Sequence, residues 1–433
     1  MENTVADFFR RHAFVVDGLD REALMQAFLS EMELGLRGEE SSLLMIPTFV
    51  SCAADVRRGV RVAVLDAGGT NLRGATVELA ADGSGARVEH LEKGPMPGVA
   101  REVSEEEFYG ALAAHVTRTR PYVDDSTVGF CFSYTAEASA DGDAKLLMWT
   151  KNIKAPAIVG QWVGAQLARR LSPRPRQVRV INDTVATLLA GLSLPGAERY
   201  SATLGFILGT GTNVAYVERN GAIAKLAHLG LDPEARQCIN SESAGFDKIA
   251  QSDFDRAMDA RMPDPGSQVL EKMISGAYLG RIALEVLRAA AGEGLLSAAG
   301  AAGVGALADL ESREASDFCA GDADGVLAHA LPDEADRALA RELLRPVFRR
   351  AVILTGVHLA AFAARTGAGR DPARPICICA DGSTYHKTRA VSFPEIVKAE
   401  MERLLAGRGI HFEIRACPSD APLIGAAVAA LAR

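Results

Sequence analysis

A short strand that runs into a glycine–threonine turn, with a second strand leaving at once, occurs twice in this chain. That duplication limits the folds open to it. The first copy is Arg61-Val-Ala-Val-Leu-Asp-Ala-Gly-Gly-Thr-Asn-Leu-Arg73, with Gly74-Ala-Thr-Val-Glu-Leu79 behind it. Val60, Val62, Val64 and Leu65 form an apolar, β-branched run that predicts a buried strand, and Gly74 to Leu79 predicts its partner. Asp66 to Thr70 is then a tight hairpin connection. The second copy is Ser201-Ala-Thr-Leu-Gly-Phe-Ile-Leu-Gly-Thr-Gly-Thr-Asn213, followed by Val214-Ala-Tyr-Val-Glu218. Two such units predict two similar lobes whose turns face one cleft, a repeat of architecture and not of a short solenoid period.

The residues of the turns suit phosphate. A Gly-Gly pair has no Cβ to keep a ligand from the backbone N–H groups. Thr70 and Asn71 add side-chain donors, and the guanidinium of Arg73 is a fork matched to phosphate oxygens. Asp66 stands at a strand end, where a carboxylate can hold a hydrated magnesium ion beside those phosphates. One such turn would pass for an ordinary Gly-rich hairpin; the pair points to a nucleotide. Other nucleotide sites are absent: the chain has no GxxxxGK[ST], no GxGxxG at a strand–helix junction and no protein-kinase HRD or DFG element.

At 433 residues, two domains are expected. A net charge of −8 argues against nucleic acid or an anionic membrane as the main partner, while local Arg and Lys can still hold an anionic substrate. The seven cysteines show no framework spacing. Cys377 and Cys379 alternate on one face of an expected strand with no accompanying ligand set, which reads as core thiols. The opening Met-Glu-Asn-Thr has no basic and apolar leader pattern, and tracts such as 295–308 are too short and Gly-rich to span a bilayer. A cytoplasmic protein with reduced thiols is the expectation.

Along the chain, residues 1 to about 37 carry helical spacing, with Asp20 as a cap for the second helix. Residues 41–51 read as an apolar connector. Ser104-Glu-Glu-Glu107 predicts a capped helix start, and Thr127 to Ser133 predicts a strand. Gly160 to Leu171 predicts a helix, Gln177 to Ile181 a buried strand ending at Asn182-Asp183, and Thr184 to Leu192 a helix. Residues 289–309 read as a loop or a loose helix. Glu334 to Ala364 is strongly helical, and Leu423 to Leu431 is a closing apolar helix. Alternating strands and helices, with polar residues gathered at strand ends, predict an α/β fold with mixed sheets whose ligands bind beyond the strands' carboxyl ends.

Eight motifs then occur in a fixed order: Leu44-Met-Ile-Pro-Thr-Phe-Val50, Leu65-Asp-Ala-Gly-Gly-Thr-Asn-Leu-Arg73, Gly129-Phe-Cys-Phe-Ser-Tyr134, Trp149-Thr-Lys151, Asn182-Asp-Thr-Val185, Gly209-Thr-Gly-Thr-Asn213, Glu271-Lys-Met-Ile-Ser-Gly276 with Tyr278-Leu-Gly280, and Asp381-Gly-Ser-Thr-Tyr385. On these the chain resembles the hexokinase/glucokinase family of the actin-like ATPase superfamily, in its single-unit form, from about residue 41 onward. The resemblance implies two lobes of RNase H-like mixed sheets flanked by helices, with a cleft between them. Residues 56–181 with the C-terminal helix 421–433 would form the small lobe, and 182–420 with the N-terminal arm 1–55 the large one.

Carried over by position, the resemblance implies Asp183 as the catalytic base, taking the proton of an attacking sugar hydroxyl. It implies that Lys151 offsets charge on the transferring phosphoryl group. Sugar contacts would come from Ser133, Thr150, Lys151, Asn182, Asp183, Asn213, Glu242 and Glu271. Gly68, Gly69, Thr70, Asn71 and Arg73 would hold ATP from one side and Gly209, Thr210 and Gly211 from the other. Gly382 and Ser383 would form the adenosine-side turn, with Asp66 meeting Mg²⁺ through water. Three departures stand out: Tyr134-Thr135 where Phe-Pro is commoner, Ser243 where an aromatic usually follows Glu242, and Ala421-Pro-Leu-Ile-Gly-Ala426 where Gly-Ser-Gly-Lys-Gly-Ala is usual. Two side chains have plainer readings: Asp183 as a helix cap, and Glu271 with Lys272 as a solvated helix face. The expected activity is ATP-dependent phosphorylation of the 6-hydroxyl of glucose or a similar hexose, by a monomer or homodimer. A kinase for fructose, mannose or an amino sugar, a catalytically silent sugar sensor and an actin-like assembly ATPase are the rival readings.

Overall fold

The computed structural model describes residues 2–51, 56–149 and 153–432, and two mixed sheets dominate it. In chain order β1 (Ile46–Ser51) is followed by β2 (Arg61–Ala67), β3 (Asn71–Leu79), β4 (Ala86–Pro95), β5 (Val128–Phe132), β6 (Ala136–Ala138), β7 (Ala144–Leu146) and β8 (Val178–Ile181). The second half supplies β9 (Ala202–Leu208), β10 (Thr212–Arg219), β11 (Arg236–Asn240), β12 (Ile376–Asp381) and β13 (Phe412–Ala416).

The first sheet has the order β4-β3-β2-β5-β8: an antiparallel meander, β2–β3–β4, continued by parallel β5 and β8. The second, β1-β11-β10-β9-β12-β13, repeats that plan. Its meander is β9–β10–β11, its parallel strands are β12 and β13, and β1 is added at the outer edge. The β2–β3 and β9–β10 turns therefore occupy the same place in each sheet. Central strands read as continuous apolar runs, as strands covered on both faces must; the first five residues of β12 are all buried.

Two helices fill the space between the sheets. Helix α1 (Glu2–Arg11), α2 (Arg21–Arg37), α3 (Glu105–Thr119) and α4 (Val163–Arg169) come first, then α5 (Asp183–Leu192). Val185, Leu188 and Leu189 of α5 share one cluster with Val62 and Val64 of β2, and with Leu423, Ala427 and Leu431 of the helix Ala421–Leu431. The contacts are close enough to exclude side chains. A Cβ at Gly425 would lie 2.1 Å from the Ala186 carbonyl, one at Gly129 2.2 Å from the Ala426 carbonyl, and one at Gly205 2.5 Å from the Thr184 carbonyl.

Several boundaries differ from the sequence expectation for local reasons. Residues 46–51 are an edge strand and not a connector. Its register against β11 shifts between Pro47 and Ser51, and Phe49 has φ +56°, so the period-two pattern is broken. The helix expected over 160–171 covers only Val163–Arg169, preceded by a short 3₁₀ turn at Pro156–Ile158 and lacking a side-chain N-cap. Residues Ala298–Ala306 are helical. Caps behave as read: Asp20 accepts from the Ala23 amide at 3.0 Å, and Ser104 and Glu107 form a reciprocal capping box. Phe8, Phe9 and Phe14 of the N-terminal arm are buried against Phe254. The helix Glu334–Arg365 is long and apolar enough to cross a bilayer, and its apolar window is 89% buried within the protein.

Gly425→Val would force a branched side chain into the Ala186 backbone. A destabilisation of about 1–3 kcal/mol is expected, measured as a lower urea midpoint at unchanged m-value.

Candidate active site

The first turn is built by register. Asp66 pairs with Arg73 and Ala67 with Leu72, and the Gly68 amide donates to the Asn71 carbonyl at 3.0 Å. Its carbonyls are held from behind. Ala67 accepts from the Ser133 amide at 3.2 Å, Gly68 from the Tyr134 hydroxyl at 2.6 Å, and Thr70 from the Met96 amide at 2.9 Å. Thr70 and Asn71 are exposed, and the Asn71 side-chain amide donates to the Thr70 hydroxyl at 3.0 Å. Arg73 donates through Nε to Asp66 at 2.8 Å and reaches Asp420 at 3.4 Å. Burial pushes the Asp66 carboxyl above the usual carboxylate range; Arg73 opposes the rise, and the neighbouring charge of Asp183 adds to it.

The second turn follows the same logic with more donors. The Gly209 carbonyl accepts from the Gly276 amide and the Thr384 hydroxyl, both at 2.8 Å. The Thr210 carbonyl accepts from the Ser275 hydroxyl at 2.8 Å and the Ala277 amide at 3.2 Å. A peptide unit is planar with its C=O and N–H opposed, so the Thr210 and Gly211 N–H groups face away from those donors. Glycine at 211 also answers a packing demand: a Cβ there would meet Glu271 Oε2 at 2.4 Å. Gly382 has φ +113° and would place a Cβ 2.2 Å from the Leu208 carbonyl, which seats Gly382 and the exposed Ser383 against this turn.

The expected sugar residues gather at neighbouring strand ends. Asn182, and not Asp183, caps α5: its Oδ1 accepts from the Thr184 amide at 2.8 Å. Asp183 opens the helix half-buried and accepts from the Thr184 hydroxyl at 3.3 Å. Asn213 donates to Asn240 at 2.6 Å, and Asn240 donates to Glu242 at 2.7 Å. The Asn213 carbonyl oxygen accepts from the Ser241 hydroxyl at 3.1 Å and the Ser243 amide at 3.2 Å. Ser243, where an aromatic is usual, is thus part of a buried polar lattice. Glu242 sits at φ +51°, a costly backbone for a non-glycine residue and one that concentrates at functional sites.

Glu271 is not on a solvated helix face. Its Oε2 accepts from the Thr212 amide at 3.0 Å, tying the helix Val269–Ile274 to the second turn. Lys272 is 1% exposed, bonded to Asp259 at 2.5 Å and to the Asp264 carbonyl at 2.7 Å. Ser133 is buried directly after β5. Thr150 and Lys151 lie outside the described residues; Trp149 before them donates to the Ala155 carbonyl at 2.9 Å.

A narrow pocket between the sheets is lined by Thr48, Tyr134, Asn182 and Asn240 among others. Sequence reasoning missed Thr48, Asn240 and the Tyr134 hydroxyl as site components. Asn240 stands two residues before Glu242, but its link to Asn213 joins β11 to β10 and leaves no local signal.

Because Asp66 titrates higher folded than unfolded, the folded chain holds a proton there more readily. Stability from this group is complete below the unfolded pKa and drains away as pH rises through the folded one. At pH 7 its ionised form is a net cost. Asp66→Asn is therefore expected to raise the melting temperature at pH 7, with the gain shrinking as pH falls through the raised pKa, as calorimetric scans at several pH values would show.

Two hexokinase family models match the chain, one over residues 9–192 and one over residues 203–432. Hexokinase-5 of Oryza sativa subsp. japonica is 30% identical over 314 residues, 66% of this chain and 60% of that protein. The hexokinase of Emericella nidulans is 31% identical over 282 residues, 62% of this chain and 56% of its own length. The matched stretches thus span less than two thirds of these relatives. A solved hexokinase from Schistosoma mansoni, complexed with glucose, aligns with TM-score 0.80 at 25% identity, covering 99% of this chain and 98% of that one. With both halves of the chain matched and the two-lobed, mixed-sheet fold in place, this chain belongs to the hexokinase family.

Proposed function

We propose that the chain is an ATP-dependent hexokinase that phosphorylates the 6-hydroxyl of a hexose, glucose foremost, in the cytoplasm. The solved relative in complex with glucose supports the choice of sugar. On this reading residues 56–181 with the C-terminal helix act as the small lobe and the remainder as the large one. The sugar lies between them, among Ser133, Asn182, Asp183, Asn213, Glu242 and Glu271, with Thr150 and Lys151 completing the set.

The observation that carries the reading is the position of Asp183. Asn182 has taken the capping task, which leaves the Asp183 carboxylate half-buried at the head of α5, close enough to Asp66 to affect its titration. A sugar hydroxyl is a weak nucleophile at neutral pH, and Asp183 would accept its proton as the oxygen attacks. Donors whose carbonyls are tied back cost no reorganisation as charge builds on the phosphates. Closure of the lobes over the sugar would exclude water and limit wasteful hydrolysis.

The residues fit a nucleotide-borne magnesium ion. Among the described residues no cluster of three or more His, Cys, Asp or Glu side chains could cage a metal, whereas a lone buried carboxylate such as Asp66 suits an ion that keeps its waters. When bound, Mg²⁺ offsets phosphate charge; Asp66 would hold its water shell, and Arg73 would exchange its hold on Asp66 for the phosphates.

A coupled ADP-release assay with and without glucose tests the proposal. Hexose-dependent ADP is expected, and Asp183→Ala should lower kcat about 10²–10⁴-fold while glucose binding by calorimetry persists. Glucose binding with no ADP would instead mark a sensor, and sugar-independent hydrolysis with sedimenting filaments an assembly ATPase.

A further inference from the structure

We infer that Tyr134 is a positioning residue for the first turn: by holding the Gly68 carbonyl, its hydroxyl aims the Gly69 N–H at the nucleotide phosphates. The inference rests on the proposed kinase reading for its ligand, and on the geometry of this chain for everything else. In the second turn two consecutive carbonyls, Gly209 and Thr210, are each held by two donors from behind. In the first turn two consecutive residues after β5 do the same work. The Ser133 amide holds Ala67 at 3.2 Å and the Tyr134 hydroxyl holds Gly68 at 2.6 Å. Gly68 C=O and Gly69 N–H belong to one planar peptide unit, so fixing the first fixes the second.

The tyrosine is itself immobilised. It is 2% exposed, with its ring edge-on to Trp149 at 4.6 Å and tilted against Phe132 at 4.9 Å. Water cannot readily replace a partner lost at such depth. Burial pushes the phenol far above its usual pKa, so it stays a donor at any working pH. Tyr134 also follows Ser133, a residue expected to face the sugar, so one two-residue segment supports both substrates.

Tyr134→Phe removes one oxygen and keeps both ring contacts. The control is Tyr109→Phe, since the Tyr109 hydroxyl is also buried but has no partner among the described residues. In the full chain, Tyr134→Phe is expected to raise the KM for ATP or lower kcat by about tenfold, with glucose affinity by calorimetry within about twofold of the parent. Deuterium uptake in peptides covering residues 67–71 should speed up, with the 208–212 turn unchanged. Tyr109→Phe should do neither. Parental kinetics would overturn the inference whatever the uptake, and so would altered kinetics with parental uptake. If the parent makes no ADP with any hexose, the proposed function fails, and the uptake comparison alone then decides whether Tyr134 holds the turn.

Discussion

A peptide unit cannot present its carbonyl and its amide hydrogen to the same side, and both turns of this protein exploit that restriction. Donors behind each turn (Ser133 and Tyr134 for one, Ser275, Gly276, Ala277 and Thr384 for the other) take up the carbonyls. The N–H groups of Gly69, Thr210 and Gly211, which share peptide units with the held Gly68, Gly209 and Thr210 carbonyls, thereby point away from those donors. Everything else in the cleft is arranged around those two surfaces. The carboxylates Asp66, Asp183 and Glu271 stand at their edges, and the helix Val269–Ile274 is anchored to one of them through Thr212.

Such anchoring requires a stiff foundation, and buried polar groups provide it at a cost. Lys272 and Asp259 pair almost out of water behind Glu271, and the Asn213–Asn240–Glu242 chain fixes a strained backbone at Glu242. An unpaired member of either group would be expensive to bury. Asp66 shows the opposite balance: burial raises its pKa even with Arg73 at its side. A carboxylate kept at the expense of stability is a familiar sign of a residue retained for its chemistry.

Much of this was legible from the residue order. Hydrophobic runs broken by Gly-Gly-Thr-Asn and Gly-Thr-Gly-Thr-Asn specify strand, turn and strand from local information alone, and Asn182-Asp183 at the end of an apolar run marks a strand-to-helix junction. What stayed hidden depends on distant partners. β1 escapes because its register is irregular and its pairing partner is β11, nearly two hundred residues away. Lys272 looked solvated because its partners come from other elements, Asp259 from the end of the helix Asp253–Asp259 and Asp264 from the loop after it. The packing demand at Gly211 was equally hidden: the nearest atom to its missing side chain is a carboxylate oxygen of Glu271, sixty residues on. Composition can announce that a turn is tight; it cannot say who leans on it.

Backbone meets backbone at three glycines around α5 and the helix Ala421–Leu431: Gly425 between the two helices, Gly129 of β5 against the latter, and Gly205 of β9 against α5. That second helix follows every strand of both sheets in the chain, and Val56 forms a bridge with Ala432 just beyond it. During synthesis, therefore, the first sheet, made before residue 182, lacks this cover until residues 421–431 emerge. Assembly must wait for one small, alanine-rich plug, and a ribosome that stalls ahead of residue 421 would release the first sheet with a greasy inner face and α5 with one side bare.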